Sequence, residues 1–545
     1  MSINGTSSNG GINIEDFHKV SNERLTDNEK AYLKATQLSE LQTNISKEIG
    51  TNFFTRAFNY VFHHTRTVAL KNISEKLNSG MPPEQAWLTD YLPQKTQELF
   101  RNYLALFTEP KIQEDFKSSL TQEEFQQIWD NKDTEPIGKG GFGTVYQSAG
   151  GKYALKIANP GKSIVDDKVK NEALRHNTEA FDDQFYYKGN VGFITEYVGT
   201  FQTDSGEDVV VFEKVNGEDF SKVNAKTPGL QCQFLAQAAT AIAISHEAGC
   251  VNVDIKPNNM MVSTKGPLVL KLVDQGALVD LTQASGWNGV CTPAYAAPEG
   301  EISPAFDVFS LGVTILEKLS IGSPEMAQLS KNIKLAFNSE ARGDPFNQDY
   351  SRENVSQYIA LLFQREDLRL FGTPEGSKFV GLLLRDCLAY KPEDRISAAQ
   401  AAEILQVFSA YLEDPSSGCP KYEEVKKMAI EDCPKGIPIA LRKMLFSTDM
   451  KVQENAISAI KDLVEVDPSY KNTPSYGMFL LLKGQGFWGA IKNAFSSETF
   501  GSWAKDNKEA FEQLKERSYI NGQSHFDQQD MPVSEEVYKK IHSLS

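Results

Sequence analysis

The chain has 545 residues, 40% apolar and 10% aromatic, which is enough to bury one or more cores; its length suggests about three domains of ordinary size. With 56 basic and 72 acidic residues the formal charge is −16, which argues against nucleic acid as the main partner, because phosphate contacts need a basic face. The six cysteines include no Cys-x-x-Cys pair and no companion His cluster, so they read as isolated reduced thiols rather than a disulfide framework or a zinc site.

Residues 1–12 are rich in Ser, Gly and Asn and read as disordered. They carry neither a charged n-region nor an apolar h-region, so no secretory signal is expected. Residues 13–128 read as a helical region. Tyr32, Leu33, Leu38 and Leu41, and then Leu99, Tyr103, Leu104, Leu106 and Phe107, recur at helical spacing, punctuated by Pro82, Pro83, Pro93 and Pro110. Two readings stay open for this region, a bundle packed on its neighbour and a module that docks a partner. From 129 to 412 the pattern changes. Short β-type runs at 144–146, 153–157 and 208–212, with a helix expected over 165–178, predict a lobe of five strands and one helix. Beyond 228 the chain reads as mostly helical, with strand signals between 260 and 273. Residues 413–545 make a C-terminal helical region. There Val452, Ala456, Ile457, Ile460, Leu463 and Val464 form an apolar stripe, and 505–517 reads as an amphipathic charged helix with a solvated face. No apolar stretch is long enough to span a bilayer.

Chemistry concentrates in the middle third. Gly138-x-Gly140-x-x-Gly143-x-Val145 is a weak signal alone, because dinucleotide-binding turns share its spacing. It is followed by Ala154-Leu-Lys156, then Asp254-x-Lys256-Pro-x-Asn259, then Asp274-x-Gly276, then Ala297-Pro298-Glu299. The order and separation of these elements resemble the signature set of the eukaryotic-like Ser/Thr protein kinases, over roughly residues 130–410. The resemblance implies an α+β bilobal fold, with a β-rich first lobe and a helical second lobe, flanked here by N- and C-terminal helical regions.

The resemblance also implies a division of labour suited to phosphoryl transfer, which needs the triphosphate held, its charge neutralised and the nucleophile aligned. Gly138, Gly140 and Gly143 let backbone fold over the phosphates of ATP. Lys156 reaches the α- and β-phosphates, positioned by a carboxylate for which Glu172 is chosen over Asp166, Asp167 and Glu179. Asp254 takes or orients the proton of the substrate hydroxyl, and Lys256 neutralises the transferring group. Asn259 and Asp274 supply hard oxygen ligands for Mg2+. Val145 and Ala154 are placed above the adenine and Met261 below it. Phe212 matches the gatekeeper, Glu213 and Val215 the hinge, and Glu218 is a candidate for the ribose hydroxyls. Thr292 matches the threonine that contacts the catalytic Asp and Lys in Ser/Thr kinases. Asp307 matches the brace of the catalytic loop, and Arg395 the partner of Glu299.

Three supporting positions depart from the family. His-Arg-Asp is Asn252-Val253-Asp254 here, and Asp-Phe-Gly is Asp274-Gln275-Gly276. Val253 cannot grip a phosphate, so a switch through phosphorylation of the activation loop, at Thr282 or Ser285, is not expected. Asn252, Gln275 and His176 put polar side chains where the family has an apolar spine, and such groups need hydrogen bonds when buried. Either they satisfy one another in a constitutively active enzyme, or the flanking helices or a bound partner supply the missing stabilisation. A pseudokinase-type scaffold that binds proteins without phosphorylating them is the alternative function, disfavoured by the joint retention of Lys156, Asp254, Asn259 and Asp274. Transfer of the nucleotide instead of the phosphoryl is a third, weaker reading.

The helical flanks, the Asn/Lys- and Ser-rich composition and the tail 534–545 also resemble the kinases that intracellular bacteria of the Legionella type inject into host cells. That likeness implies secretion into host cytosol and a host protein substrate. In layout it suggests a Mob-family scaffold as partner.

Overall fold

The computed structural model describes residues 120–543 apart from 141–142, 160–192, 226, 264–267, 275, 282–290, 321–322, 366–367, 369–370, 372, 414, 433–435, 446–449, 484–499, 521–530 and 534. These residues belong to one compact unit, Lys117–Ser545. The expected disorder of 1–12, most of the helical region 13–128, the helix 165–178, and Glu172, His176, Gln275, Thr282 and Ser285 lie outside the described residues.

The first described element is α1, Gln122–Asp130. Its start is written in Thr-Gln-Glu-Glu. The Thr121 hydroxyl accepts from the Glu124 amide, and the Glu124 carboxylate accepts from the Thr121 amide, a reciprocal cap that satisfies two otherwise orphaned donors. Phe125, Ile128 and Trp129 fall on one face at the i, i+3, i+4 spacing and pack on a sheet.

That sheet holds β1 (Gly138–Lys139), β2 (Gly143–Gln147), β3 (Tyr153–Ala158), β4 (Tyr197–Gln202) and β5 (Asp208–Glu213), in the order β1-β2-β3-β5-β4 with every pair antiparallel. Strand alternation sorts the side chains onto two faces. Val145 lies opposite Lys156, Ala154 opposite Phe212, and Lys156 opposite Val210, so Val145, Ala154, Lys156 and Phe212 share one face. Tyr146, Tyr153, Leu155, Val209 and Val211 occupy the other, where α1 covers them and Phe125 stacks on Phe201 with centroids 4.9 Å apart.

The second lobe is helical. A three-stranded sheet of β6 (Gly217–Asp219), β8 (Met260–Ser263) and β9 (Leu270–Leu272) and a two-stranded pair of β7 (Cys250–Val251) and β10 (Val279–Asp280) lie beside it. Its centre is α2, Pro228–Glu247, capped by Thr227, whose hydroxyl accepts from the Leu230 amide. Residues on all sides of α2 are buried, as expected of a helix apolar all round. On it pack α3 (Pro304–Leu319) and α7 (Ala398–Glu413); α4 (Pro324–Arg342) and α6 (Pro374–Cys387) pack on α3, and α5 (Val355–Leu362) on α6.

After α7 the chain continues through α8 (Tyr422–Asp432), α9 (Ile439–Met444), α10 (Met450–Val466), α11 (Pro474–Lys483), α12 (Phe500–Asp506) and α13 (Lys508–Arg517). Residues from α9 to α13 build a second apolar core around the fully buried Trp503. The stripe on α10 enters it through Ala456, Ile457, Ile460 and Leu463, with Val464 at its margin. Gly477 is required there, since a Cβ would come within 2.2 Å of the Trp503 ring. The segment 505–517 is not one amphipathic helix but parts of two. Asn507 ends α12 by donating its side-chain amide to the Trp503 carbonyl, accepts from the Phe511 amide to start α13, and sends Phe511 and Leu514 into the core. Leu281, directly after β10, packs against this second core.

Candidate active site

The cleft face of the first lobe is built by β2 and β3. Gly143 lies so close to β3 that a Cβ would come within 2.7 Å of the Ile157 carbonyl oxygen and 3.3 Å of the Lys156 stem, which makes this glycine a requirement of strand packing. At Gly138 and Gly140 a Cβ would meet protein atoms only at ordinary distances, 3.9 and 3.7 Å. The glycine-rich turn is tied down by Asn159, which accepts from the Thr144 hydroxyl at 2.9 Å and donates to the Gly140 carbonyl at 2.8 Å. Nothing in its local sequence marked Asn159 for this role.

Lys156 points across the cleft to Asp274, with Nζ 2.8 Å from Oδ1. The carboxylate lies after β9, its backbone in the left-handed region at φ 60°. It also accepts from the Gly276 amide at 3.3 Å. Although 54% of its side-chain surface reaches solvent, the cleft walls push the Asp274 carboxyl up; the Lys156 ammonium, the Gly276 amide and the Lys256 charge outweigh that and hold it below the ordinary carboxylate value.

Asp254, Lys256, Asn259 and Thr292 form one hydrogen-bonded group. Asp254 Oδ2 accepts from Lys256 Nζ at 2.7 Å and from Asn259 Nδ2 at 3.0 Å. Asp254 Oδ1 accepts from the Thr292 hydroxyl at 2.6 Å and the Thr292 amide at 3.1 Å. Lys256 completes the ring by donating to Thr292 Oγ1 at 2.8 Å. Asn259 fixes the turn as well, giving Nδ2 to the Asp254 carbonyl at 2.8 Å, and its own carbonyl accepts from the Val273 amide, one residue before Asp274.

Beneath this group Asp307, fully buried on α3, holds the backbone. Its carboxylate accepts from the amides of Asn252 and Val253, both at 2.7 Å, and pairs with His246 Nε2 at 2.9 Å. Val253 needs that support, because its φ is 61°, a region that disfavours β-branched residues. The Asn252 side chain also turns toward Asp307, at 3.5 Å, so this polar spine position meets the brace of the catalytic loop. Glu299 makes a two-pronged pair with Arg395 at 2.7 and 2.8 Å, and the same guanidinium donates to the carbonyls of Ala389, Ala305 and Tyr390.

The residues expected to face adenine are placed unevenly. Val145, Ala154 and Phe212 line the cleft face, as the register requires. The Glu213 amide already donates to the Glu196 carbonyl, so any bond from this residue to a base falls to its carbonyl. Its carboxylate is held by Lys271 of β9 at 2.6 and 2.7 Å. Val215 is buried just beyond. Glu218 lies opposite Val262, whereas Asp219 lies opposite Met261. Directly opposed residues share a face, so the register puts Asp219, not Glu218, on the side of Met261. The expected partner of Lys156, Glu172, is outside the described residues.

No group of three or more His, Cys, Asp or Glu among the described residues is placed to hold a metal. The two residues expected to hold a cation, Asp274 and Asn259, offer hard oxygens, a carboxylate and a side-chain carbonyl. That set suits magnesium, which keeps several waters and takes its remaining ligands from substrate phosphate.

The model of the protein kinase domain matches residues 132–406, half of the chain, and the chain belongs to that family. Among curated proteins it is 24% identical to human mitogen-activated protein kinase kinase kinase 19 over 67% of this chain and 27% of the relative. It is 28% identical to the serine/threonine-protein kinase PknA of Mycobacterium tuberculosis over 34% of this chain and 45% of the relative. A serine/threonine-protein kinase of Corynebacterium efficiens is 33% identical over 24% of this chain and 27% of the relative. The chain thus spans less than half the length of these relatives.

Proposed function

We propose that the protein is a serine/threonine protein kinase that moves the γ-phosphoryl of ATP to a protein hydroxyl. The observation that carries this reading is the closed group of Asp254, Lys256 and Thr292, with Asp274 close enough to feel the Lys256 charge and Lys156 reaching Asp274 from across the cleft. Asp254 is aimed where an acceptor hydroxyl must lose its proton. Lys256 adds positive charge beside it, and both are held by neutral partners that also fix their rotamers. Lys156 serves the non-transferring phosphates. Magnesium, held by Asp274 and Asn259, would neutralise charge between the phosphates. Thr292 on the Asp254 carboxylate supports a hydroxyl of the Ser/Thr type as acceptor.

The active arrangement is held by the protein's own flanks and not by loop phosphate. Two contacts support this: α1 covers the outer face of the first-lobe sheet, and Leu281 anchors the start of the activation segment on the C-terminal core. Val253, in the place of a phosphate-gripping arginine, supports it from the other side. The effector reading, with secretion into host cytosol, a host substrate and a Mob-family activator, rests on likeness of layout and tail.

The test is transfer of radiolabelled phosphate from ATP with magnesium, alone and with host-cell lysate or purified scaffold, with Asp254→Ala as control. Loss of the positioned carboxylate is expected to cut transfer by about 10²–10⁴-fold while nucleotide binding persists. ATP binding without transfer under every condition would make the protein a scaffold instead.

A further inference from the structure

We infer that Arg352 is a positioning residue that sets the acceptor-binding loop, residues 292–297, against the catalytic aspartate; this rests on the kinase reading above. Arg352 stands in the turn before α5 and is only 6% exposed. Its guanidinium is spent on two elements at once. Nη2 donates to the Pro293 carbonyl at 2.6 Å and Nε to the Ala296 carbonyl at 2.8 Å. Nη1 donates to Glu340 Oε2 at 2.6 Å and to the Phe337 carbonyl at 3.3 Å, both on α4. The planar group lies over the Phe337 ring at 4.6 Å from its centroid.

A buried guanidinium is costly to desolvate, and this one is compensated by neutral carbonyls as much as by charge. Those carbonyls belong to the residues on either side of Ala294 and Tyr295. The rest of the loop is already committed. Ser310 of α3 holds the Tyr295 carbonyl at 2.9 Å, the Tyr295 hydroxyl donates to Glu317 at 2.6 Å, and the Thr292 carbonyl accepts from the amides of Tyr295 and Ala296. Arg352 supplies direct hydrogen bonds from this loop's carbonyls to α4, beside the Lys334 ammonium of α4 that lies 5.5 Å from the Tyr295 ring centroid. Pro293, whose carbonyl it holds, is the neighbour of Thr292, whose hydroxyl touches both Asp254 and Lys256. A shift of the loop therefore moves the acceptor platform relative to the proton acceptor. It leaves the Lys156–Asp274 side of the cleft, where ATP is held, untouched.

Lysine keeps the charge but cannot reach Pro293, Ala296 and Glu340 together. The experiment compares wild type, Arg352→Lys and Glu340→Gln in steady-state transfer to dephosphorylated casein, varying casein and ATP separately, together with amide hydrogen exchange of the intact chain. For Arg352→Lys we expect kcat/KM for casein to fall on the order of 10²-fold, KM for ATP to hold, and exchange over 292–299 to quicken while the first-lobe strands keep theirs. Glu340→Gln, which leaves the carbonyl contacts in place, should fall between. Equal loss for both substrates, or unchanged exchange over 292–299, overturns the inference. Quickened exchange in a protein that transfers to no acceptor sinks the kinase reading while the positioning role stands.

Discussion

Replacing Asp307 by Asn tests whether the catalytic loop is held in a strained form by one buried carboxylate. The change is nearly isosteric, so packing around α3 is kept. One of the two oxygens becomes an amide that faces a backbone N–H, and two donors then meet in a site with no solvent. A buried donor left without a partner costs about 1–3 kcal/mol, and the remaining bonds lose their charge assistance. Val253 stores about 1–3 kcal/mol in its left-handed backbone at φ 61°, and these bonds are what hold it there. The loop can recover part of the loss by relaxing Val253, but Asp254 is the next residue and moves with it. A net loss of about 3 kcal/mol lowers the melting temperature by roughly 5 °C for a domain the size of residues 132–406. Displacement of the proton acceptor by about 1 Å lowers kcat by on the order of 10²-fold. KM for ATP stays near its original value, since Lys156 and Asp274 are not involved. Thermal unfolding and steady-state kinetics on the same preparation give both numbers. A variant that melts early yet keeps kcat within about threefold of wild type would refute the reasoning and leave Asp307 a purely structural residue.

Phe125→Ala removes the fully buried ring through which α1 grips the sheet, and should cost about 3–5 kcal/mol in denaturant unfolding; a loss below about 1 kcal/mol would mean that α1 is not part of the folded lobe. Asp386 joins α6 to α8: burial pushes its carboxyl up, but Arg385, Lys426 and Tyr422 outweigh that and hold it below the ordinary value near 3.8. Because its folded value is the lower one, its stabilisation is fully present above pH 3.8 and disappears as pH falls through the folded value. Asp386→Asn should therefore be less stable than wild type at neutral pH, with the gap closing in acid, and a gap that does not change with pH counts against this assignment.

The grouping at the candidate site was legible in the sequence because the motif puts its polar residues within one short stretch. Asp254, Lys256 and Asn259 sit within a single turn, and that turn brings them onto one carboxylate. Val145, Ala154 and Phe212 were grouped by likeness to the family, and the strand register puts them on one face of the sheet. What stayed hidden depends on long-range pairing. Arg352 reaches the loop at 293–296 from more than fifty residues away, and an isolated arginine before a helix carries no local signal. The likeness to the family offers Glu218 for the ribose; the register that puts Asp219 on the side of Met261 is invisible without the partner strand. The charged run 505–517 read as one helix because its residues are good helix formers. The break at Asn507 comes from its bonds to Trp503 and Phe511, and the inward turn of Phe511 and Leu514 from the core that Trp503 anchors.

The same limit explains why periodicity found the stripe on α10 but not what the C-terminal core touches. A 3.6-residue repeat says which side of a helix is apolar and nothing about its cover. The cover includes Leu281, at the root of the activation segment. At the other end of that segment, Glu299 is locked by Arg395 and the loop before it by Arg352 and Ser310. Both ends are thus fixed by apolar burial and by arginines whose partners are carboxylates and carbonyls of this chain. A phosphate on the segment would have nothing to add at Val253, which offers no charge and is itself buried. Valine in place of the family arginine and a C-terminal core against Leu281 are together what the proposal of control by the flanking helices rests on.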